Sequence, residues 1–255
     1  MDIKLIDKEN GRITFAVTGT SPAFVNMMRR AIIEEVPTMA MEDIEIRQNS
    51  SALYDEMVAL RLGLIPMKTD LDTYNVRDQC TCSNEGCAKC QVKITLKAEG
   101  PGTVYASDLQ SKDPAIVPVF PKTPILKLIK EQSIELEATA VLGRGKDHVK
   151  WAPALAYYRN YPVVDIKGAE KCVKAKEVCP ADVFDVKSGK LSVKNPEACI
   201  LCGACVDECD GIKLNMDNKD FIFTIEPWGQ LPCDVIVQKA SEIVNQQFDE
   251  FVKLL

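Results

Sequence analysis

The chain has 255 residues, a formal net charge of −6, 46% hydrophobic residues and 27% charged residues. A negative balance argues against a surface that mainly binds nucleic acid, so we expect little or no direct contact with DNA or RNA. The N-terminal Met-Asp-Ile-Lys-Leu lacks the apolar core of a signal peptide, and no run approaches the roughly 20 apolar residues of a membrane helix. We expect a cytoplasmic protein without a membrane segment.

The first predicted elements are a hairpin and an amphipathic helix. Ile3–Asp7 and Arg12–Thr18 alternate apolar and polar residues around Asn10-Gly11, a pair that favours a two-residue β-turn. Ser21-Pro22 predicts a helix start, with serine as the cap and proline at the first helical position, and Pro37 ends the helix. Apolar residues recur along it at helical spacing: Phe24, Met27, Met28, Ala31 and Ile32.

The middle of the chain is richer in strands and turns. Met41–Arg47 is predicted to be a strand, and Gln91–Ala98 and Ile134–Leu142 alternate as half-buried strands. From about residue 167 the pattern changes to cysteines, lysines and short apolar runs. Phe221–Glu226 is a further predicted strand. Pro232 opens a last helix with one apolar stripe: Val237, Ala240, Ile243, Val244, Phe248, Phe251 and Leu255.

The helices near the two ends of the chain have two interpretations. Either they cover the sheet formed by the hairpin and the 221–226 strand, or a partner's helices complete their core. The second follows if a small split domain cannot hide both apolar stripes. The candidate partner-binding residues are Phe24, Met28, Ile32, Val237, Ile243, Val244, Phe248 and Phe251.

One group of cysteines has the spacing of an iron–sulfur site. Cys199, Cys202, Cys205 and Cys209 follow the C-x2-C-x2-C-x3-C run of bacterial ferredoxins. In such folds the fourth ligand is a distant cysteine followed by proline, which Cys179 matches. We predict one [4Fe-4S] cluster, or its degraded [3Fe-4S] form, held by Cys179, Cys199, Cys202 and Cys205.

Two cysteines are left over from this pattern. Cys172 is in register for a second cluster, with Cys209 as its distant partner, but Ala169 and Ala175 occupy the other two expected positions. Two thiols are too few for a normal cubane. The pair is therefore free, forms a redox-sensitive pair, or holds a cluster with non-cysteine ligands.

A second group places four cysteines within eleven residues: Cys80, Cys82, Cys87 and Cys90. Four thiolates in tetrahedral coordination are typical of structural zinc. We predict a zinc site that staples a loop lacking its own core, with an iron site or free thiols as the alternatives. The remaining Cys233, at the start of the last helix, is interpreted as a packing residue.

No catalytic constellation is found in the sequence. His148 is the single histidine, and the phosphate-binding patterns GxxxxGK[ST] and GxGxxG are absent. We therefore expect no catalytic residue in this chain. His148 lies in a basic stretch, residues 143–151, that is either a solvated turn or a contact loop for a protein or RNA surface.

Several segments together resemble the family of the larger alpha-like subunit of archaeal RNA polymerase. Residues 21–32, with Asn26 and Arg29-Arg30, are similar to the first helix of its alpha-like dimerisation domain, and 36–40 follow as in that family. Asp55-Glu56 and residues 60–66 match its "DE…HRLGLIP" segment, with Leu60 in place of the usual histidine. Residues 142–151 are similar to its "GRGKDHxKW" stretch.

The resemblance implies an α+β fold in three parts. These are a split alpha-like dimerisation domain at 1–46 and 214–255, an inserted strand-rich domain at 47–166 that carries the zinc loop, and a small ferredoxin-like domain at 167–213. The zinc loop is similar to that of the third-largest subunit of eukaryotic RNA polymerase II, with one extra residue between Cys82 and Cys87.

The same resemblance implies a function and partners. The chain is expected to be a non-catalytic assembly subunit of DNA-directed RNA polymerase, a nucleotidyltransferase. It would form a heterodimer with the small alpha-like subunit L and contact small subunits N and P and the second-largest subunit. The iron–sulfur cluster would then be structural or regulatory. The alternatives are a ferredoxin-type electron-transfer protein or oxidoreductase subunit, and a zinc-bearing nucleic-acid-binding protein.

Overall fold

The structure is a computed structural model that describes residues 1–9 and 11–255. The strands are β1 (Asp2–Glu9), β2 (Arg12–Thr18), β3 (Thr38–Asn49), β4 (Gln91–Glu99), β5 (Gly102–Tyr105), β6 (Gln110–Ser111), β7 (Pro124–Leu128), β8 (Ser133–Gly143), β9 (Ala154–Asp165), β10 (Phe184–Lys187), β11 (Lys190–Val193) and β12 (Lys213–Pro227). The α-helices are α1 (Pro22–Arg30), α2 (Asp55–Gly63), α3 (Lys174–Val178), α4 (Ala204–Glu208) and α5 (Cys233–Lys253). The predicted α+β class is confirmed.

The chain divides into two compact units. The first unit comprises Met1–Lys8, Ile13–Met27 and Tyr157–Thr224, and the second comprises Glu9–Arg12, Met28–Ala156 and Ile225–Leu255. This division into two units does not test the three-part boundaries expected from the sequence, which stay a prediction. Asn10 of the predicted hairpin turn lies outside the described residues, although both of its strands form.

The first unit is built on a four-stranded sheet in the order β1-β2-β12-β9. Aromatic side chains form a column on it. The ring centroids of Phe15 and Phe223 are 5.4 Å apart, and Tyr158 lies 5.7 Å from Phe221 and 6.4 Å from Phe223. Because these rings come from three strands, their contacts hold the strand order through side chains as well as backbone hydrogen bonds.

A small cysteine-rich module, residues 166–212, belongs to the first unit. It contains the β10–β11 hairpin, in which Phe184 pairs with Val193, and the two five-residue helices α3 and α4. Its buried residues are Ala169, Ala175, Val183, Phe184, Leu191, Cys199, Cys205, Cys209 and Ile212. The α+β content of the module is described, but a ferredoxin-like topology stays a prediction.

The second unit has a four-stranded antiparallel sheet in the order β3-β8-β4-β6. Strand β8 is central, and every residue from Ala138 to Gly143 except Thr139 is a buried apolar residue or glycine. Helix α2 buries Val58 and Leu62 against this sheet. The resulting core is large enough to hold the cysteine loop that precedes β4.

The helices at the two ends of the chain begin as the sequence predicts. Ser21 caps α1, since its Oγ accepts a hydrogen bond from the Phe24 amide at 3.3 Å. Helix α1 continues into one π-helical turn, Ala31–Glu35, and stops before Pro37. Helix α5 starts directly after Pro232 and packs on that π-helical turn. No helix among the described residues combines the length and hydropathy that a membrane span requires.

Candidate metal centres and partner surface

The four clustered cysteines of the second unit converge on one point. Their Sγ atoms all lie within 4.8 Å of one another, with Cys80 and Cys87 separated by 3.6 Å and Cys82 and Cys90 by 3.7 Å. Four sulfurs placed at 2.3 Å from a single ion would be about 3.8 Å apart on the edges of a tetrahedron. The observed spacing therefore fits one tetrahedral metal ion.

Local backbone geometry brings these sulfurs together. Ser83 and Asn84 have φ values of 52° and 69°, and Gly86 has 89°, so three residues in the left-handed region fold the chain back on itself. The Cys87 amide donates to the Sγ of Cys90 at 3.2 Å. Burial raises the pKa of the Cys90 thiol to about 12, so this thiol is protonated at neutral pH unless a cation stabilises its thiolate.

Side chains flanking the cysteine loop brace it. Arg77, just before Cys80, hydrogen-bonds with its Nη2 to Gln91 Oε1 at 3.3 Å, just after Cys90. The same nitrogen pairs with Asp43 of β3 at 3.2 Å. These contacts join the two ends of the loop to each other and to the sheet. The base of the loop is thus fixed by protein side chains.

The basic stretch 143–151 is pinned to its own unit by its charges. Arg144 pairs with Asp78 at 3.3 Å, Lys146 pairs with Glu35 at 3.1 Å, and Lys150 pairs with Glu42. Each ion pair joins the stretch to a different segment. The His148 Nδ1 accepts from the Lys150 amide at 3.1 Å, so the imidazole orders its own loop.

Two glycines of this stretch are required by close approach. A Cβ on Gly143 would lie 2.3 Å from the indole of Trp151, and a Cβ on Gly145 would lie 1.9 Å from the carbonyl oxygen of Ile33. The stretch is therefore a tightly fitted brace, and its basic composition alone does not make it a nucleic-acid surface. Its most exposed apolar side chain is Val149, at 69%.

The cysteines of the predicted iron–sulfur site meet in the cysteine-rich module. Cys179 follows α3, Cys199 and Cys202 lie in the loop before α4, and Cys205 is buried within α4. Burial, followed by the neighbouring Cys199, Cys179 and Cys202, raises the pKa of the Cys205 thiol, so all four thiols share one environment. They lack the tight one-ion spacing of the other set. Four thiols in one shared environment are the type of donor set that an iron–sulfur cluster takes.

The loop that carries these cysteines is tied to strand β9. The Arg159 guanidinium donates to the carbonyl oxygen of Cys199 at 2.6 Å and to that of Glu197. Tyr161, on the same face of the strand, donates to Glu197 Oε1 at 3.0 Å. Positive φ values at Leu201 (57°) and Gly203 (83°) curl the loop toward the module. Sequence reasoning missed Arg159, because no local pattern links it to a loop forty residues away.

The two leftover cysteines form a disulfide. Cys172 and Cys209 are bonded, with their Cα atoms 6.0 Å apart. Of the three states left open from the sequence, the structure has the paired one. Cys233, interpreted as a packing residue, is buried, and its Sγ donates to the carbonyl oxygen of Gly11 at 3.0 Å.

The predicted partner residues separate into covered and exposed groups. Ile32 and Val244 are 1% and 7% exposed, so they belong to the core between the π-helical turn and α5. Their own chain already covers them, and their assignment to a partner surface stays a prediction. Phe24, Met28, Val237 and Ile243 are half-buried. Phe248 and Phe251 stay exposed, as do their neighbours Val252, Leu254 and Leu255.

Comparison with known proteins gives the family. Residues 44–156 match the model of the RNA polymerase Rpb3/RpoA insert domain. DNA-directed RNA polymerase subunit Rpo3 of Methanosarcina acetivorans is 38% identical, with 100% of this chain and 98% of that protein aligned. Subunit Rpo3 of Archaeoglobus fulgidus is 38% identical (100% and 97% aligned) and that of Picrophilus torridus 34% (99% and 99%). The chain belongs to the family of archaeal DNA-directed RNA polymerase subunit Rpo3, an alpha-like subunit of the assembly type within a nucleotidyltransferase complex.

Proposed function

We propose that this chain nucleates polymerase assembly by pairing with the small alpha-like subunit L through α1 and α5. The observation that supports this is the end of α5, where Phe248 and Phe251 are 55% and 58% exposed on a helix whose other stripe is buried. A helix that is apolar on a second face needs a second covering surface. A heterodimer through this face would leave other surfaces of the chain available to subunits N and P and to the second-largest subunit.

The cysteine loop at 80–90 is proposed to bind one structural Zn²⁺. The support is the near-tetrahedral spacing of four sulfurs, together with the brace formed by Arg77, Asp43 and Gln91. Bound zinc would stabilise the thiolates and join the two ends of the loop. The same three side chains would keep the loop ordered by fixing its base to the sheet.

Cys179, Cys199, Cys202 and Cys205 are proposed to hold one [4Fe-4S] cluster, which can degrade to [3Fe-4S]. When bound, the cluster supplies four metal–thiolate bonds that join three chain segments. The carbonyl contacts of Arg159 orient the loop, and its positive charge favours an anionic cluster–thiolate centre. We assign the centre a structural or regulatory role. The electron-transfer alternative is not favoured, because full-length relatives are polymerase subunits.

The pairing with subunit L is tested by truncating the exposed phenylalanines. A buried phenylalanine covers 150–250 Å², so the exposed half of each ring corresponds to about 110 Å² and about 2.7 kcal/mol. Phe248→Ala and Phe251→Ala are each expected to weaken binding to purified subunit L about 100-fold in isothermal titration. Phe120→Ala is the matched control, since Phe120 is 52% exposed elsewhere. Equal affinities for all three variants would contradict the proposal.

A further inference from the structure

All four proposed iron–sulfur ligands lie inside one covalent loop. The disulfide joins Cys172 to Cys209, and every ligand cysteine from Cys179 to Cys205 falls between them. The segments that carry the ligands therefore cannot move far apart while the bond is intact. A loop of this length loses much of its unfolded-state freedom when it is closed.

The disulfide joins the two short helices beside the ligands. Cys172 lies just before α3, which ends at the ligand Cys179, and Cys209 ends α4. The Cys209 amide donates to the carbonyl oxygen of the ligand Cys205 at 3.1 Å. Displacement of either half of the bond is thus transmitted directly to a ligand position.

Arg159 and Tyr161 tie the loop before α4 to β9, but few other interactions join α3 to α4. The module buries only four apolar side chains larger than alanine besides its cysteines: Val183, Phe184, Leu191 and Ile212. An ion pair between Lys174 and Glu208, 2.9 Å apart, also joins α3 to α4, but Lys174 is 68% exposed. Exposed pairs of this kind contribute little, and a module this small ordinarily needs a covalent or metal staple. The disulfide and the cluster would therefore both hold together the same chain segments, those that carry the four ligand cysteines.

The two sulfurs differ in accessibility. Cys172 is half-buried, whereas Cys209 is 1% exposed. An incoming thiolate therefore attacks the Sγ of Cys172, and the Cys209 thiolate leaves and takes up a proton. With a dithiol reductant, the second thiol resolves the mixed disulfide. Two protein thiols form, and the dithiol is oxidised to its own disulfide.

From this geometry we infer that Cys172–Cys209 is a thiol–disulfide exchange site for dithiol reductants, and that its opening is coupled to loss of the iron–sulfur cluster. The inference rests on the ligand set proposed above. Coupling between two sites is reciprocal, so a bound cluster protects the disulfide to the same degree that the disulfide protects the cluster. A reducing dithiol then destabilises the cluster without contacting it.

The coupling is tested on the full chain purified with subunit L. Loss of visible absorbance and release of iron to a chelator are followed for the wild type, for Cys172→Ser/Cys209→Ser and for Lys174→Gln. We expect the double-serine variant to lose iron about tenfold faster or more, from the loop-closure effect, and Lys174→Gln to match the wild type. Dithiothreitol should accelerate the loss of iron from the wild type and leave the rate of iron loss from the double-serine variant unchanged. Equal rates with and without the disulfide would overturn the inference.

A second measurement needs no variant, so it holds even if the double-serine chain fails to fold. Alkylation and mass spectrometry give the dithiothreitol concentration that half-opens the disulfide in cluster-loaded and chelator-stripped wild-type chains. If the disulfide raises the affinity for the cluster about tenfold, reciprocity makes the stripped chain open at about one tenth of the concentration, and equal midpoints would refute the coupling. Heterodimer formation is scored in the same samples. If cluster loss and disulfide opening are coupled but the chain does not bind subunit L, the proposed function is contradicted and the coupling is not.

Discussion

Gly145→Ala adds one methyl group at the closest approach between the 143–151 stretch and the π-helical turn. The new Cβ would lie 1.9 Å from the carbonyl oxygen of Ile33, whereas a carbon–oxygen contact needs about 3.3 Å. The φ of Gly145 lies outside the left-handed region, so alanine would cause no backbone strain from a positive φ at this position. The effect is purely steric, and the two backbone segments must separate by about 1.4 Å.

The cost of this separation is estimated from the behaviour of overpacked sites. Overpacking costs 1–3 kcal/mol, and a backbone carbonyl cannot rotate away as a side chain does, so we expect about 3 kcal/mol. For a chain of this size that lowers Tm by about 6–12 °C. Because the displaced turn packs on α5, binding of subunit L should weaken as well.

Gly102→Ala is the matched control, because a Cβ there has no neighbour within 4 Å. Alanine restricts the unfolded chain, so this variant should be neutral or more stable by about 0.4–1 kcal/mol. Thermal unfolding is followed by circular dichroism at equal protein concentration. The shifts in Tm of Gly145→Ala and Gly102→Ala should have opposite signs or very different sizes. Similar shifts for both variants would refute the steric argument.

Two further predictions concern the cysteine loop and the strand beside the cysteine-rich module. Cys90→Ser should reduce bound zinc from about one ion per chain to near zero by atomic emission, because three thiolates remain, while Cys233→Ser should retain it. Burial and the hydrogen bond to Glu197 raise the pKa of Tyr161 to about 12. Its stabilising contribution is therefore complete below the unfolded pKa of about 10 and is lost as the pH rises through 12. In a denaturant series from pH 9 to 12, Tyr161→Phe should flatten this decline, and an unchanged slope would contradict the assignment.

Local patterns were sufficient for the elements whose causes are local. The alternation in β2 and in β4, the serine cap of α1 and the helix after Pro232 depend on residues a few positions apart, and all are confirmed. The spacing of the cysteines at 80–90 was also enough to indicate a metal site, although their convergence depends on the left-handed turn at Ser83, Asn84 and Gly86.

Pairings between distant residues could not be read from such patterns. The basic residues of the 143–151 stretch left open a contact loop, but Arg144, Lys146 and Lys150 each find an acidic partner in another segment of the same unit. Ile32 and Val244 have the spacing of a partner stripe, yet their own chain buries them. Periodicity reports that a face is apolar, and does not report which surface covers it.

By itself, the sequence indicated two sets of clustered cysteines that are candidate metal ligands, because cysteine type and spacing limit which metals a loop can hold, and its motifs were sufficient to indicate the family. The tertiary structure decided which groups remain available: it pairs Cys172 with Cys209, uses the basic stretch as an internal brace, and leaves Phe248 and Phe251 exposed. The physical reason is that composition and spacing describe what a segment can bind, whereas availability depends on contacts made across dozens of residues, which form only in the folded chain.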